Sequence, residues 1–353
     1  MANFGPQDIK KLREMTDAGM MDCKKALAES DGDMDKAIAW LREKGLGAAA
    51  KKAGKVAAEG SIGLKVEDHK AVLVEVNSQT DFVAQNDKFK TVVREVVEHN
   101  FDNHFANADE LNASEINGQA FSEYISLQIA TIGENLVVRR TAALQGGDAI
   151  AINGYLHANG QIGVILAAKC DSQKTADAIK GDLKNIAMHI SAMRPKTLSY
   201  KDFDPEFIAS ELTGRIVTIE KENEENKRLG KPLKNVPTYI SMAQLTDEVL
   251  AKAKADIEAE LKAEGKPEKI WDKIVPGKLD RFISDNTTLD QELALLDQKF
   301  VMDDSLTVAQ YLENLAAKVG GTAQMIEFIR LEVGEGIEVV EEDFAAEVAK
   351  QMS

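Results

Sequence analysis

The chain opens with three short stretches of helical period. The first runs from about Gln7 to Thr16 with Ile9 and Leu12 inward, and Ala18-Gly19 breaks the chain before a second from about Met21 to Glu29. In the third, Met34, Ala37, Ile38 and Leu41 recur at i, i+3, i+4 and i+7 behind Asp33, a residue suited to an N-cap, and Gly45 sits where a C-terminal cap belongs. Together they predict a compact three-helix module over residues 1–45. The following Gly47-Ala48-Ala49-Ala50-Lys51-Lys52-Ala53-Gly54-Lys55 carries no apolar face and reads as a linker with some helical tendency, residues 46–60.

From Ser61 the period falls to two. Ile62, Leu64 and Val66 alternate with polar neighbours, and Ala71-Val72-Leu73-Val74-Glu75-Val76 suits a second strand, so a hairpin is expected. Phe89, Val92, Val93, Val96 and Val97 then mark an amphipathic helix, Tyr124 to Ile132 another, and Leu136 to Leu144 a further strand. The same grammar returns at Ile152 to His157, the turn Asn159-Gly160, the strand Ile162 to Ala168 and a helix carrying Ala176, Ile179, Leu183, Ile186, Ala187 and Ile190. Val72-Leu73-Val74 aligns with Val164-Ile165-Leu166, a spacing too long for a solenoid and suited to a duplicated α+β subdomain. Only the first half follows its strand with Thr80-Asp81-Phe82-Val83; the second has Lys169-Cys170-Asp171-Ser172-Gln173.

Residues from about Asp204 to Thr288 are heavily charged, with narrow apolar stripes at Ile208, Leu212, Ile216 and Ile219 and at Leu250, Ala253, Ile257 and Leu261. Pro232 and Pro237 lie between them, so an antiparallel helical hairpin is expected. A helix around Val308 to Leu315, a strand from about Met325 to Val333 and a last helix with Phe344, Ala345 and Val348 close the chain. The expected class is α+β: a core N-subdomain at 61–147, a core C-subdomain at 148–203 completed by 299–336, a hairpin projection at 204–298 and a C-terminal helical module at 337–353.

Composition narrows the function classes. The 353 residues are 44% hydrophobic and 29% charged, a globular balance. No apolar run approaches the roughly 20 residues of a membrane span, and the opening residues lack a secretory pattern. With two distant cysteines, a reduced, cytoplasmic protein is expected. The net charge of −16 disfavours nonspecific binding to nucleic acid, although residues 1–55 hold 11 basic against 9 acidic side chains.

Catalytic motifs fail on inspection. Asp31, Asp33 and Asp35 open like a calcium loop, but Lys36 replaces the required Gly and Arg42 the bidentate Glu, which leaves helix capping as the better account. Gly54-Lys55 lacks the spacing of a phosphate loop, and Val56 stands where Ser or Thr must bind magnesium. The five histidines show no metal-ligand spacing, so neither a metal site nor a cofactor is expected. Thr80 to Val83 supports two accounts. In one, Asp81 caps a helix and Phe82 covers the core; in the other, the ring and carboxylate form a probe inserted into a partner.

These motifs resemble, in one order, the bacterial translation elongation factor Ts family. The resemblance rests on Leu12-Arg13, Gly19 to Leu27, Lys51 to Gly54, Val56 to Gly60, Thr80 to Val83, Ile132-Gly133-Glu134-Asn135, Ala187 to Ile190 and Phe328 to Ile337. It implies a nucleotide exchange factor for the GTPase elongation factor Tu, without covalent chemistry, and a first module similar to ubiquitin-associated (UBA-like) domains. By the same resemblance Asp81 and Phe82, flanked by Thr80 and Val83, enter the partner beside its magnesium site. Arg13, Met20, Met21 and Lys24 meet its nucleotide-binding domain, His157 and His189 grip another domain, and Phe344 braces the first. The projection is longer than in shorter members, and the resemblance allows a dimer of heterodimers. The competing expectation is a helical adaptor that binds protein partners through the N-terminal module.

Overall fold

The computed structural model describes residues 3–16 and 18–338, and within them helices combine with small antiparallel sheets in an α+β fold. One unit runs to Ala167 and resumes at Ile329; the other spans Ala168–Phe328.

The first unit begins with α1 (Pro6–Thr16), α2 (Met20–Glu29) and α3 (Met34–Lys52). Asp33 caps α3, accepting from the Lys36 N–H at 3.0 Å and satisfying one donor that the helix leaves open. Leu12, Cys23, Ala26, Leu27, Ala37 and Leu41 form the core of this bundle. The Cys23 thiol donates to the Ala18 carbonyl at 3.6 Å, and burial pushes its pKa up, as befits a packed side chain.

The expected helix end at Gly45 is corrected, and with it the first part of the expected linker. The helix continues for two more turns, because the Ala-Ala-Ala-Lys-Lys run favours helix. Gly45 is buried instead of capping. A Cβ there would stand 3.1 Å from Leu127 Cδ2, so glycine lets α3 lie close against a later helix.

The unit continues with β1 (Glu59–Glu67), β2 (Lys70–Ser78), α4 (Asp81–Ala84), α5 (Asp87–Asn103), α6 (Ala108–Asn112), β3 (Glu115–Ile116) and β4 (Gln119–Ala120). Next come α7 (Phe121–Ile132), β5 (Val137–Gln145), β6 (Ile150–Leu156) and β7 (Ile162–Cys170). The first sheet has the order β1-β2-β5, with Leu64 opposite Leu73. The apolar run Ala71-Val72-Leu73-Val74 of β2 reflects burial on both faces. Val72, Val74 and Val76 pack on Phe89, Val92, Val93 and Val96 of α5, whereas Ala71 and Leu73 meet Ile152, Ile165 and Leu331.

A bulge opposite Glu75 shapes the sheet. Glu75 pairs with Arg140 and Val76 with Val138, so Arg139 is the extra residue of β5, and two consecutive arginines reach one carboxylate. Glu75 is fully buried and also accepts the Gly334 N–H at 2.9 Å, while Arg139 donates to the Glu335 carbonyl at 2.7 Å. The late turn is thereby held to the first sheet.

The second unit contains α8 (Gln173–Ile179), α9 (Leu183–Met193), α10 (Pro205–Arg228), α11 (Asp247–Ala263), α12 (Trp271–Asp285) and α13 (Thr288–Leu293). It continues with β8 (Lys299–Phe300), β9 (Asp303–Thr307) and α14 (Val308–Ala317), and the chain leaves it along β10 (Ala323–Glu332). The second sheet has the order β10-β7-β6, so the late strand lies beside β7. Within the charged segment α11 packs along α12, linked by Lys278–Glu260 at 2.8 Å, and α10 is tied to α13 by Arg215–Glu292. The apolar stripes suggested α10 against α11; they did not disclose α12, whose interior Pro276 argues locally against a helix.

Candidate functional site

The Thr80 corner follows directly from β2. Ser78 ends the strand, and its hydroxyl donates to the Thr80 carbonyl at 3.0 Å. Thr80 is extended and is the N-cap of α4, its hydroxyl oxygen accepting from the Val83 N–H at 3.3 Å. Asp81 is therefore not the cap but the first helical residue, and its carboxylate accepts from the Phe82 N–H at 2.9 Å. The expectation that Phe82 covers the core is likewise corrected. Ala84 is the buried residue of this turn, Val83 is half-buried, and the Phe82 side chain is 84% exposed.

The anchor comes from 54 positions further along the chain. Glu134 Oε2 accepts from the N–H groups of Gln79 (3.1 Å) and Thr80 (3.0 Å), and Oε1 accepts from the Thr80 hydroxyl at 2.7 Å. The flanking residues are tied elsewhere. Lys52 Nζ donates to the Gly133 carbonyl, and Asn135 donates to the Lys55 carbonyl at 2.9 Å. Glu134 appeared in the sequence only as part of a motif, with no signal of this contact.

The other expected residues fall into separate settings. Arg13 is exposed on α1; Met20, Met21 and Lys24 are exposed on α2, the two methionines 60% and 73% accessible. His157 is exposed at the turn after β6, with the Tyr155 hydroxyl 3.2 Å from its Nδ1. It borders an open groove of about 460 Å³ shared with Lys65, Lys90 and Arg94 and with Ala84 and Gln85 at the tail of α4. Thus His157 and the residues that follow the Thr80 corner, Ala84 and Gln85, line one groove.

His189 is different. It is 0% exposed in the second unit, so the expectation that it touches a partner directly is corrected. Its Nε2 meets Gln298 Oε1 at 2.8 Å, its Nδ1 accepts from the Val301 N–H at 3.1 Å, and burial pushes its pKa down against the opposing Gln298 contact. A neutral ring with Nε2–H satisfies both bonds. What it supports is the β8–β9 turn, where Val301 and Met302 are exposed; the sequence reading did not single out that pair. Phe344 lies outside the described residues.

Among the described residues no group of three or more His, Cys, Asp or Glu side chains is placed to hold a metal ion, and no helix is long and apolar enough to cross a membrane. The built feature is an aromatic ring and a carboxylate displayed on an anchored corner of an α+β protein.

Comparison with known proteins gives that class its family. The family model "Elongation factor TS" matches residues 79–236 and 233–335. Similar curated proteins named elongation factor Ts include one from Sulfurovum sp., 69% identical over 353 residues and the full length of both chains. Others are from Aliarcobacter butzleri, 55% identical over 358 residues covering 100% of this chain and 99% of the relative, and Helicobacter hepaticus, 50% identical over 354 residues and the full length of both. The chain belongs to the elongation factor Ts family, whose members are nucleotide exchange factors of translation elongation and carry out no covalent chemistry.

Proposed function

We propose that this chain binds elongation factor Tu·GDP in the cytoplasm and promotes GDP release by pressing the Thr80 corner against the partner's magnesium and phosphate site, so that GTP can reload. The observation that carries this reading is the exposed Phe82 ring on an anchored turn, with Asp81 beside it. Magnesium bridges phosphate oxygens to a GTPase and neutralises their charge, so a wedge that disturbs its contacts weakens nucleotide retention. Exchange then follows from linkage. If the factor and GDP favour different states of the GTPase, each weakens the other's binding by the same coupling free energy, and rebinding nucleotide expels the factor.

In this reading Arg13, Met20, Met21 and Lys24, on a UBA-like module, meet the partner's nucleotide-binding domain. His157 contributes at its groove to a grip on another domain, while His189 serves indirectly by holding the β8–β9 turn. The charged helices form the projection, Phe344 belongs to a bracing C-terminal module, and the complex is compatible with a dimer of heterodimers. The adaptor reading leaves the Phe82 display without a purpose.

The test is release of labelled GDP from elongation factor Tu with and without the protein. Acceleration at micromolar concentration is expected, and it should shrink when magnesium is chelated beforehand, because the lever has then already been pulled. Absence of acceleration would sink the exchange reading; acceleration indifferent to chelation would sink the magnesium step.

A further inference from the structure

The geometry points to Glu134 as a positioning residue for exchange: we infer that its carboxylate sets the orientation in which Phe82 is presented. This inference rests on the exchange reading above and adds a residue that does not itself meet the partner.

A carboxylate only accepts, and here both oxygens are committed to the same corner, to two successive N–H groups and to one hydroxyl. The hydroxyl bond matters most for direction. Because the Thr80 proton is donated to Glu134 Oε1, the remaining lone pairs of Thr80 Oγ1 are free to accept the Val83 N–H, which fixes the start of α4. Four residues make too short a helix to hold itself, since nucleation is unfavourable and only propagation is rewarded. The turn therefore depends on an outside acceptor. Glu134 is half-buried and has neighbours on both sides bonded to Lys52 and Lys55, the tail of α3 and the segment after it, so the anchor is itself held. Without it, Phe82 would keep its exposure but lose a defined direction, and a misaimed wedge is a poor one.

Glu134→Ala, Glu134→Gln and Phe82→Ala are compared in GDP release from elongation factor Tu, together with the Glu134→Ala/Phe82→Ala double variant. Glu134→Ala is expected to slow release about tenfold, as loss of a charge-assisted acceptor set implies, with melting shifted by less than about 4 °C. Glu134→Gln, whose carbonyl still accepts the two N–H groups but whose amide nitrogen cannot accept the Thr80 hydroxyl proton, should recover only part of the rate. In the Phe82→Ala background, removing Glu134 should slow release no further, because its effect passes through the ring.

Wild-type release by Glu134→Ala overturns the inference. So does an undiminished additional loss in the Phe82→Ala background, which would mark a general structural role. If Phe82→Ala itself releases GDP like the wild type, the underlying exchange reading fails instead, and that result is recognisable without reference to Glu134.

Discussion

Two strand-to-helix corners of this molecule share one design and differ in what they display. After β2, Thr80 caps α4 through the Val83 N–H; after β7, Ser172 caps α8 through the Thr175 N–H at 3.2 Å. In the second corner Thr175, Ala176 and Ile179 turn inward, so the helix is held by its own packing. In the first, only Ala84 is buried, Phe82 faces outward, and Glu134 supplies from outside the hold that packing would otherwise provide. The same kind of cap after a strand therefore serves a packing corner in one place and a presenting corner in the other. The presenting corner differs in having an apolar residue on the outer side of the turn and a polar anchor beneath it.

The largest expected effect concerns the strand that supports the presenting corner. Glu75→Ala leaves Arg139 and Arg140 without their shared carboxylate, and denaturant unfolding should show a loss of about 3 kcal/mol, near the low end for broken buried pairs because the arginines are partly exposed. Phe82→Ala should behave oppositely. Unfolding should be unchanged, whereas calorimetric titration with elongation factor Tu should lose about 2 kcal/mol, the scale of a buried aromatic anchor.

The caps sharpen the comparison further. Thr80→Ala and Ser172→Ala should each lower stability by about 1 kcal/mol in thermal unfolding, but only Thr80→Ala should also slow exchange. Equal exchange by both variants would erase the distinction between the corners.

The smallest effect lies in the second unit. Burial raises the Asp297 pKa to about 6, assisted by the nearby Asp290 and opposed by the Tyr200 N–H and Lys201. A carboxyl with a raised folded pKa binds more protons when folded, so stability falls as pH rises from about 4 to about 6. Lowering the pH from 7 to 5 should stabilise this unit by about 1 kcal/mol or less after screening, and Asp297→Asn should flatten the dependence in pH-resolved melting.

How much of this was legible in sequence depended on whether the deciding contact was local. The β1–β2 hairpin and α5 follow from periodicity, and the Asp33 cap from its position before the periodic run, since each is decided within a few residues. Gly45 misled because the same absence of a side chain serves a helix end or a close approach, and only Leu127 distinguishes the two. His189 misled because a histidine within a recognised motif gives no sign of burial until Gln298 and Val301 are placed around it. The outward Phe82 was one of two open accounts, decided by Thr80 taking the cap and by Glu134, neither of which four residues reveal.

The most direct measurement is stopped-flow release of fluorescent GDP from elongation factor Tu under saturating amounts of the wild-type protein and of Phe82→Ala. The presenting corner predicts fast release by the wild type and release slowed at least about tenfold by the variant, with both proteins melting alike. Identical release by the two would contradict it.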